Sequence, residues 1–219
     1  MHGGFASSKG LTEPKNVFSI HKGKNMAANI DYEVPTWSQI YDMLLCQAQK
    51  IQRHPYKPDI VVGIAKGGLV PARILTDLLE TPELATIQIE FYTGINQTLQ
   101  EPALKQPLTA QVTGKKMLLV DDIADSGKSL NLTKTHLQTQ GALEIKTATL
   151  YQKPQSTETP DFCEKQTTSW VVFPWETKET LRKIIQRQQG KRALNQEVAK
   201  LVKAGLPKHL AEKLLKDIV

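Results

Sequence analysis

Apolar and polar positions recur along this chain with two different periods, and the changes of period mark out its elements. From Trp37 to about Arg53, Ile40, Leu44 and Ala48 fall at helical spacing. Ile60 to Ile64 is a short unbroken apolar run, the length of a buried strand, and Leu69 to Leu79 returns to a helical pattern. Between Ala85 and Tyr92, Ile87 and Ile89 alternate with Gln88 and Glu90, as a strand with one buried face requires. Met117 to Val120 is again apolar throughout and leads into a helix reaching about Thr139. Ile145 to Tyr151 and Ser169 to Phe173 read as further strands. Strands separated by helices predict an α/β fold with a central parallel sheet flanked by helices, its ligands gathered at the carboxyl ends of the strands. No internal repeat is present.

Three segments stand outside this alternation. Residues 1–30 are polar and lysine-bearing, and a flexible tail is expected there. Thr93 to Lys115 is long, rich in glutamine and without period, which predicts a segment without regular structure, either disordered or a lid. After Glu176 the spacing predicts three short helices. Leu181, Ile184 and Ile185 mark the first, which ends near Gly190; Asn195 caps the second, carrying Val198, Leu201 and Val202; Leu210, Leu214 and Ile218 mark the third. The expected organisation is therefore a tail (1–30), a core (31–177) and a helical appendage (178–219). The apolar face of the appendage must be buried, against the core in the first instance, otherwise in a dimer or on a partner.

Composition narrows the picture. The chain has 219 residues, 40% of them hydrophobic, enough for one full-sized core. No apolar run approaches the roughly 18 residues of a membrane span, and no signal-like segment opens the chain. Cys46 and Cys163 lie in unrelated contexts, and the five histidines lack ligand spacing, so neither a disulfide framework nor a zinc site is expected. A cytoplasmic location follows. The net charge is +6, yet residues 178–219 alone carry +7, so the body is nearly neutral. A basic tail can bind nucleic acid, but no aromatic residues interleave with these charges, and a solvated helical face is the expectation.

Residues 117–130, MLLVDDIADSGKSL, concentrate the chemistry. Asp121 and Asp122 follow an apolar strand, Asp125 comes next, and Ser126-Gly127-Lys128-Ser129 opens a helix. An acidic pair at a strand end suits Mg²⁺ or sugar hydroxyls, and the N–H groups at a helix start suit phosphate. Together they point to a phosphorylated sugar. Gly127-Lys128-Ser129 imitates the end of a triphosphate-binding loop, but the glycine required five positions before Gly127 is replaced by Asp122, which excludes that reading. A plain turn with Asp125 or Ser126 as N-cap accounts for capping, not for three acids and a glycine in seven residues.

Val62 to Pro71, VGIAKGGLVP, repeats the arrangement of strand, glycine turn and helix. Gly67 and Gly68 let backbone N–H groups approach an anion, and Lys66 adds a positive charge. Gly63, Ala65 and Gly68 approximate a dinucleotide-binding loop, a partial match that leaves the acidic segment unexplained.

The acidic segment resembles the ribose-phosphate signature of the type I phosphoribosyltransferases, which transfer ribose 5-phosphate from phosphoribosyl pyrophosphate (PRPP) to a nitrogenous base. The resemblance implies that Asp121 and Asp122 face the ribose hydroxyls and a metal, Mg²⁺. It implies further that Ala124, Asp125, Ser126, Gly127, Lys128 and Ser129 wrap the 5′-phosphate, and that Lys66, Gly67 and Gly68 form the pyrophosphate loop. The family often carries a cis peptide after the basic residue of that loop, here Lys66–Gly67, and a mobile loop where Thr93 to Lys115 stands. Tyr151-Gln152-Lys153-Pro154 and Trp170-Val171-Val172-Phe173-Pro174-Trp175-Glu176 are similar to the 6-oxopurine branch. Singly, a surface lysine and a core tryptophan are the plainer readings. As a pair they imply Lys153 donating to purine O6, Trp170 stacking on the ring and the Val171 carbonyl at the C2 side. Lys66 and Asp125 are then the catalytic candidates, Asp125 as the base near purine N7. The resemblance spans about Tyr32 to Glu176, and it implies a homo-oligomer, dimer or tetramer. The alternatives are a phosphoribosyltransferase for another base, or a non-catalytic PRPP sensor binding nucleic acid through its basic tail.

Overall fold

The computed structural model describes residues 30–81, 83–93, 100–188 and 190–218; the expected tail up to residue 29, and positions 94–99 of the segment expected to lack regular structure, lie outside them. The described chain forms β1 (Tyr32–Glu33), α1 (Trp37–Arg53), β2 (Ile60–Ala65), α2 (Leu69–Leu78), β3 (Glu83–Thr93), β4 (Gln100–Gln106) and β5 (Lys116–Ala124). It continues through α3 (Lys128–Thr139), β6 (Glu144–Gln152), β7 (Phe162–Gln166), β8 (Trp170–Val171), α4 (Thr177–Arg187), α5 (Lys191–Lys203) and α6 (Lys208–Lys216).

Six strands form the main sheet in the order β4-β3-β2-β5-β6-β7, all parallel except β4, which runs antiparallel to β3. The alternation of side chains splits the core between the two faces. Val61, Leu118 and Val120 meet Ile40, Leu44 and Leu75 of α1 and α2, whereas Ile60, Val62, Met117 and Leu119 meet Leu130 and Leu137 of α3. Thr36 starts α1 with a reciprocal cap: its hydroxyl accepts the Gln39 N–H at 3.2 Å, and the Gln39 side chain accepts the Thr36 N–H at 2.8 Å.

The chain leaves β2 towards β3 on one side and returns as β5 on the other. The crevice between the carboxyl ends of β2 and β5 is therefore the switch point of the sheet, where open α/β folds bind ligands.

The structure corrects the sequence reading in several places. The segment expected to be without regular structure contains β4, Gln100–Gln106, which pairs antiparallel with β3. Its alternation was hidden because an edge strand with polar residues on its open side carries little apolar period. The expected strand Ser169–Phe173 shrinks to Trp170–Val171 and pairs with β1 in a separate two-stranded sheet, Tyr32 beside Trp170. β7 was missed. Asn195 lies inside α5 and is not its cap: the helix starts at Lys191 after Gly190, whose φ of +96° sets the entry. The three C-terminal helices bury Leu181, Ile184, Leu201, Leu206 and Ala211 around Val172, with Tyr32, Val34 and Trp170 packed against them. The apolar face of this region thus covers the small sheet that carries Trp170. Among the described residues no helix is long and apolar enough to cross a membrane.

Candidate active site

β5 delivers its last residue, Ala124, to the switch point, and Asp125, Ser126 and Gly127 turn the chain into α3. Gly127 has φ +79°, and a Cβ there would lie 2.6 Å from the Glu158 backbone nitrogen, so only glycine makes this turn. The Ser126 carbonyl is held by the Thr157 N–H at 3.1 Å and the Thr157 hydroxyl at 2.9 Å, and the Ala124 carbonyl by the Lys153 N–H at 2.9 Å. The connection between β6 and β7 therefore braces the loop. Side-chain capping is slight: the Ser126 hydroxyl accepts the Lys128 N–H at 3.4 Å, while Asp125 accepts from Gln155 Nε2 at 3.0 Å. Lys128 Nζ pairs with Glu101 of β4 at 2.7 Å, tying that strand to the loop. Residues 121–130 and Phe91 line a cleft of ≈ 560 Å³. N–H groups of the first turn of α3, lacking intrahelical acceptors, give it the character of an anion site.

Lys66, Gly67 and Gly68 follow β2 on the other side of the crevice. The non-proline cis bond lies at Ala65–Lys66, one residue before the Lys66–Gly67 peptide at which the sequence reading placed it. Lys66 Nζ stands 3.4 Å from Glu179 of α4. The Asp122 carboxylate fills the space a side chain at Gly67 would need, and the Asp122 N–H donates to Asp121 Oδ1 at 3.0 Å. Trp175 Nε1 donates to Asp122 Oδ2 at 3.4 Å.

Burial dominates the electrostatics here. It pushes the Asp121 carboxyl well up, with the Asp122 charge adding to it, and raises Asp122 to about 6 against the pull of the Trp175 hydrogen bond. Glu176 rises to about 7, again through burial and then through Asp122. Among the described residues no three His, Cys, Asp or Glu side chains converge as a metal-ligand set. Two adjacent carboxylates with raised pKa values nevertheless fit a hard cation that keeps water and phosphate oxygens as its remaining ligands.

Lys153, Trp170 and Val171, chosen from sequence, line one cleft of ≈ 660 Å³ together with Asp122, Asp125 and Arg187. Lys153 is buried, and its Nζ donates to the Ser169 carbonyl. The Trp170 and Val172 N–H groups donate to the Asp31 and Glu33 carbonyls, both at 2.8 Å. Alternation along a parallel strand then turns the Val171 amide and carbonyl to the open edge.

A third cleft, ≈ 410 Å³, lies between Lys66, Gly67, Glu90, Trp175 and Glu179. Asp122 borders all three clefts. The candidate residues are thus brought to one crevice except Gly68, which lines none of the three clefts: its N–H donates to the Ile64 carbonyl at 2.8 Å, so it is not offered to an anion as the sequence suggests. Sequence reasoning missed Glu176, Glu179 and Arg187. Their signal was available: positions 176, 179, 183 and 187 carry charge at 3-4-4 spacing, while Leu181 and Ile184 are buried in the third core.

Residues 36–180 match the family model described as a phosphoribosyl transferase domain. The xanthine-guanine phosphoribosyltransferase of Gluconobacter oxydans is 30% identical over 165 residues, covering 74% of this chain and 94% of that protein. That of Nitratidesulfovibrio vulgaris is 32% identical over 145 residues, covering 65% and 83%. Among solved structures, a purine phosphoribosyltransferase from Pyrococcus horikoshii superposes with a TM-score of 0.61 at 34% identity, covering 67% of this chain and 94% of that one.

Proposed function

The chain belongs to the phosphoribosyl transferase family, and from that premise we propose that it is a purine phosphoribosyltransferase. It transfers ribose 5-phosphate from PRPP to N9 of a 6-oxopurine (guanine, xanthine or hypoxanthine) and releases pyrophosphate. The observation that carries this reading is the position of Asp122 at the border of all three clefts. PRPP has a phosphate on C5′, a diphosphate on C1′ and, during transfer, a base entering at C1′. A ribose seated at Asp121 and Asp122 would send those three groups into the three clefts.

Each residue then has a task. Residues Ala124 to Ser129 hold the 5′-phosphate through N–H groups and hydroxyls, with Lys128 contributing charge. Asp121 and Asp122 accept from the ribose hydroxyls and would hold Mg²⁺, which would supply charge neutralisation for the leaving group. Lys66 and Gly67, which line the third cleft, meet the diphosphate there, and Lys66 exchanges Glu179 for it. As the C1′–O bond breaks, positive charge grows on C1′, and Lys66 stabilises the negative charge growing on the leaving group. Lys153 donates to purine O6, which favours an oxo over an amino purine. Trp170 provides a ring face and the Val171 peptide meets the C2 side. Asp125, steadied by Gln155, takes the proton the base loses at N7 as N9 forms its bond to C1′.

The test is pyrophosphate release from PRPP with Mg²⁺ and, separately, hypoxanthine, guanine, xanthine, adenine and orotate. Turnover with 6-oxopurines alone is expected. Turnover with adenine or orotate alone would overturn the base-site roles, and PRPP binding without turnover on any base would overturn the catalytic reading.

A further inference from the structure

We propose that Arg187, the last residue of α4, is a specificity residue of the base cleft, favouring a purine with an oxygen at C2 over one with an amino group or a hydrogen there. The assignment rests on the purine reading above. Arg187 lies beyond the residues matched to the family model and within the region that the sequence reading set apart as an appendage.

The geometry places it in the cleft. Its guanidinium carbon lies 4.8 Å from the centroid of the Trp170 indole, and it lines the same cavity as Lys153, Trp170 and Val171. The indole face and the carboxyl end of α4 both favour a cation at this point. Two other cations of α4 are engaged, Lys178 with Asp217 at 3.2 Å and Lys183 with Glu179 at 3.0 Å, and Arg182 does not line this cleft. Arg187 forms no ion pair among the described residues, so its donors are free for a ligand.

The residues 169–171 give the cleft a direction. The Ser169 carbonyl holds Lys153, the Trp170 ring follows with Arg187 over it, and the Val171 peptide faces the open edge. A purine lying along this segment with O6 at Lys153 has its C2 edge at the far end, by Val171 and Arg187. A guanidinium offers five donors and no acceptor. The 2-oxo group of xanthine accepts from it. The 2-amino group of guanine opposes donor to donor, and hypoxanthine has nothing at C2 to engage. Xanthine also loses a proton near neutral pH, and its anion gains further from a side chain that never loses its charge.

Steady-state kinetics at saturating PRPP with xanthine, guanine and hypoxanthine separate the possibilities, using wild type, Arg187→Gln and Arg187→Lys, with melting temperatures to verify folding. Arg187→Gln is expected to lower kcat/KM for xanthine about tenfold or more relative to hypoxanthine, without a matching loss for guanine. Arg187→Lys keeps the charge and retains part of the preference. An equal fall for all three bases would overturn the assignment and leave Arg187 as packing for Trp170, and so would a wild type that prefers guanine to xanthine. Failure of the wild type to turn over any of the three would overturn the purine reading itself.

Discussion

The Asp122 carboxylate occupies the space above Gly67: a Cβ added at Gly67 would lie 2.5 Å from Asp122 Cγ. The two loops of the crevice therefore touch through a carboxylate and a missing side chain. Gly68 is packed differently, since a Cβ there would meet the Val120 carbonyl and, at 2.8 Å, the Ile64 carbonyl. These are backbone atoms of β5 and β2, which cannot swing aside.

The two glycines should consequently fail in different ways. Gly67→Ala pushes the Asp122 carboxylate out of place and breaks its bond to Trp175. The expected result is a loss of kcat/KM for PRPP on the order of 10²-fold with little change in melting temperature. Gly68→Ala forces apart two central strands and should destabilise the fold by about 1–3 kcal/mol, read as a lower urea midpoint. Equal effects of both substitutions on stability would contradict this division.

Asp125 is held by Gln155 at 3.0 Å and borders both the cleft proposed for the phosphate and the cleft proposed for the base. Asp125→Asn keeps the shape and removes the proton acceptor. A fall in kcat of about 10²–10⁴-fold is expected, with KM for PRPP nearly unchanged. An unchanged kcat would remove Asp125 from the chemistry.

Glu176 gives a pH prediction. Burial and the Asp122 charge raise its carboxyl from an ordinary 4.5 to about 7. Since the folded-state pKa lies above the unfolded one, the native protein binds the extra proton between these values. Its stability is full below pH 4.5 and falls as pH rises to 7, by roughly 3 kcal/mol at most. Glu176→Gln removes the penalty. In the metal-free protein the variant should melt higher than wild type above pH 7 and match it below pH 4.5; a constant difference across that range would show that Glu176 does not titrate there.

The sequence made the site legible where a strand ends in a loop rich in glycine and acid. β2 and the Met117–Val120 part of β5 are apolar runs because both sheet faces are covered, and the loops after them carry Lys66–Gly68 and Asp125–Gly127. What escaped depends on pairing across the chain. β1 has only two residues and exists because Tyr32 and Glu33 lie beside Trp170 and Val171. β7 is five residues, FCEKQ, and only Phe162 is buried. No local period announces either. Arg187 escaped for a related reason: its neighbour Trp170 is remote in sequence, and a cation at a helix end reads as solvated until the fold sets it against an indole.

The C-terminal helices yield the last prediction, because the proposed base site rests on them. Leu201 of α5 is fully buried in the third core, together with Val172, and Tyr32 and Trp170 pack against that core, Trp170 also lining the cleft. Truncating Leu201 to Ala leaves a cavity worth about 2–5 kcal/mol, visible in urea unfolding. The loss falls on one half of the active site. β8 rests on this core, so Trp170 and the Val171 peptide lose their backing. The loops after β2 and β5 are instead supported by the main sheet with α1, α2 and α3. KM for the purine should therefore rise while KM for PRPP stays near the wild-type value. A parallel rise in both would mean that the helices act on the whole molecule, and the dependence of the base site on them would have to be abandoned.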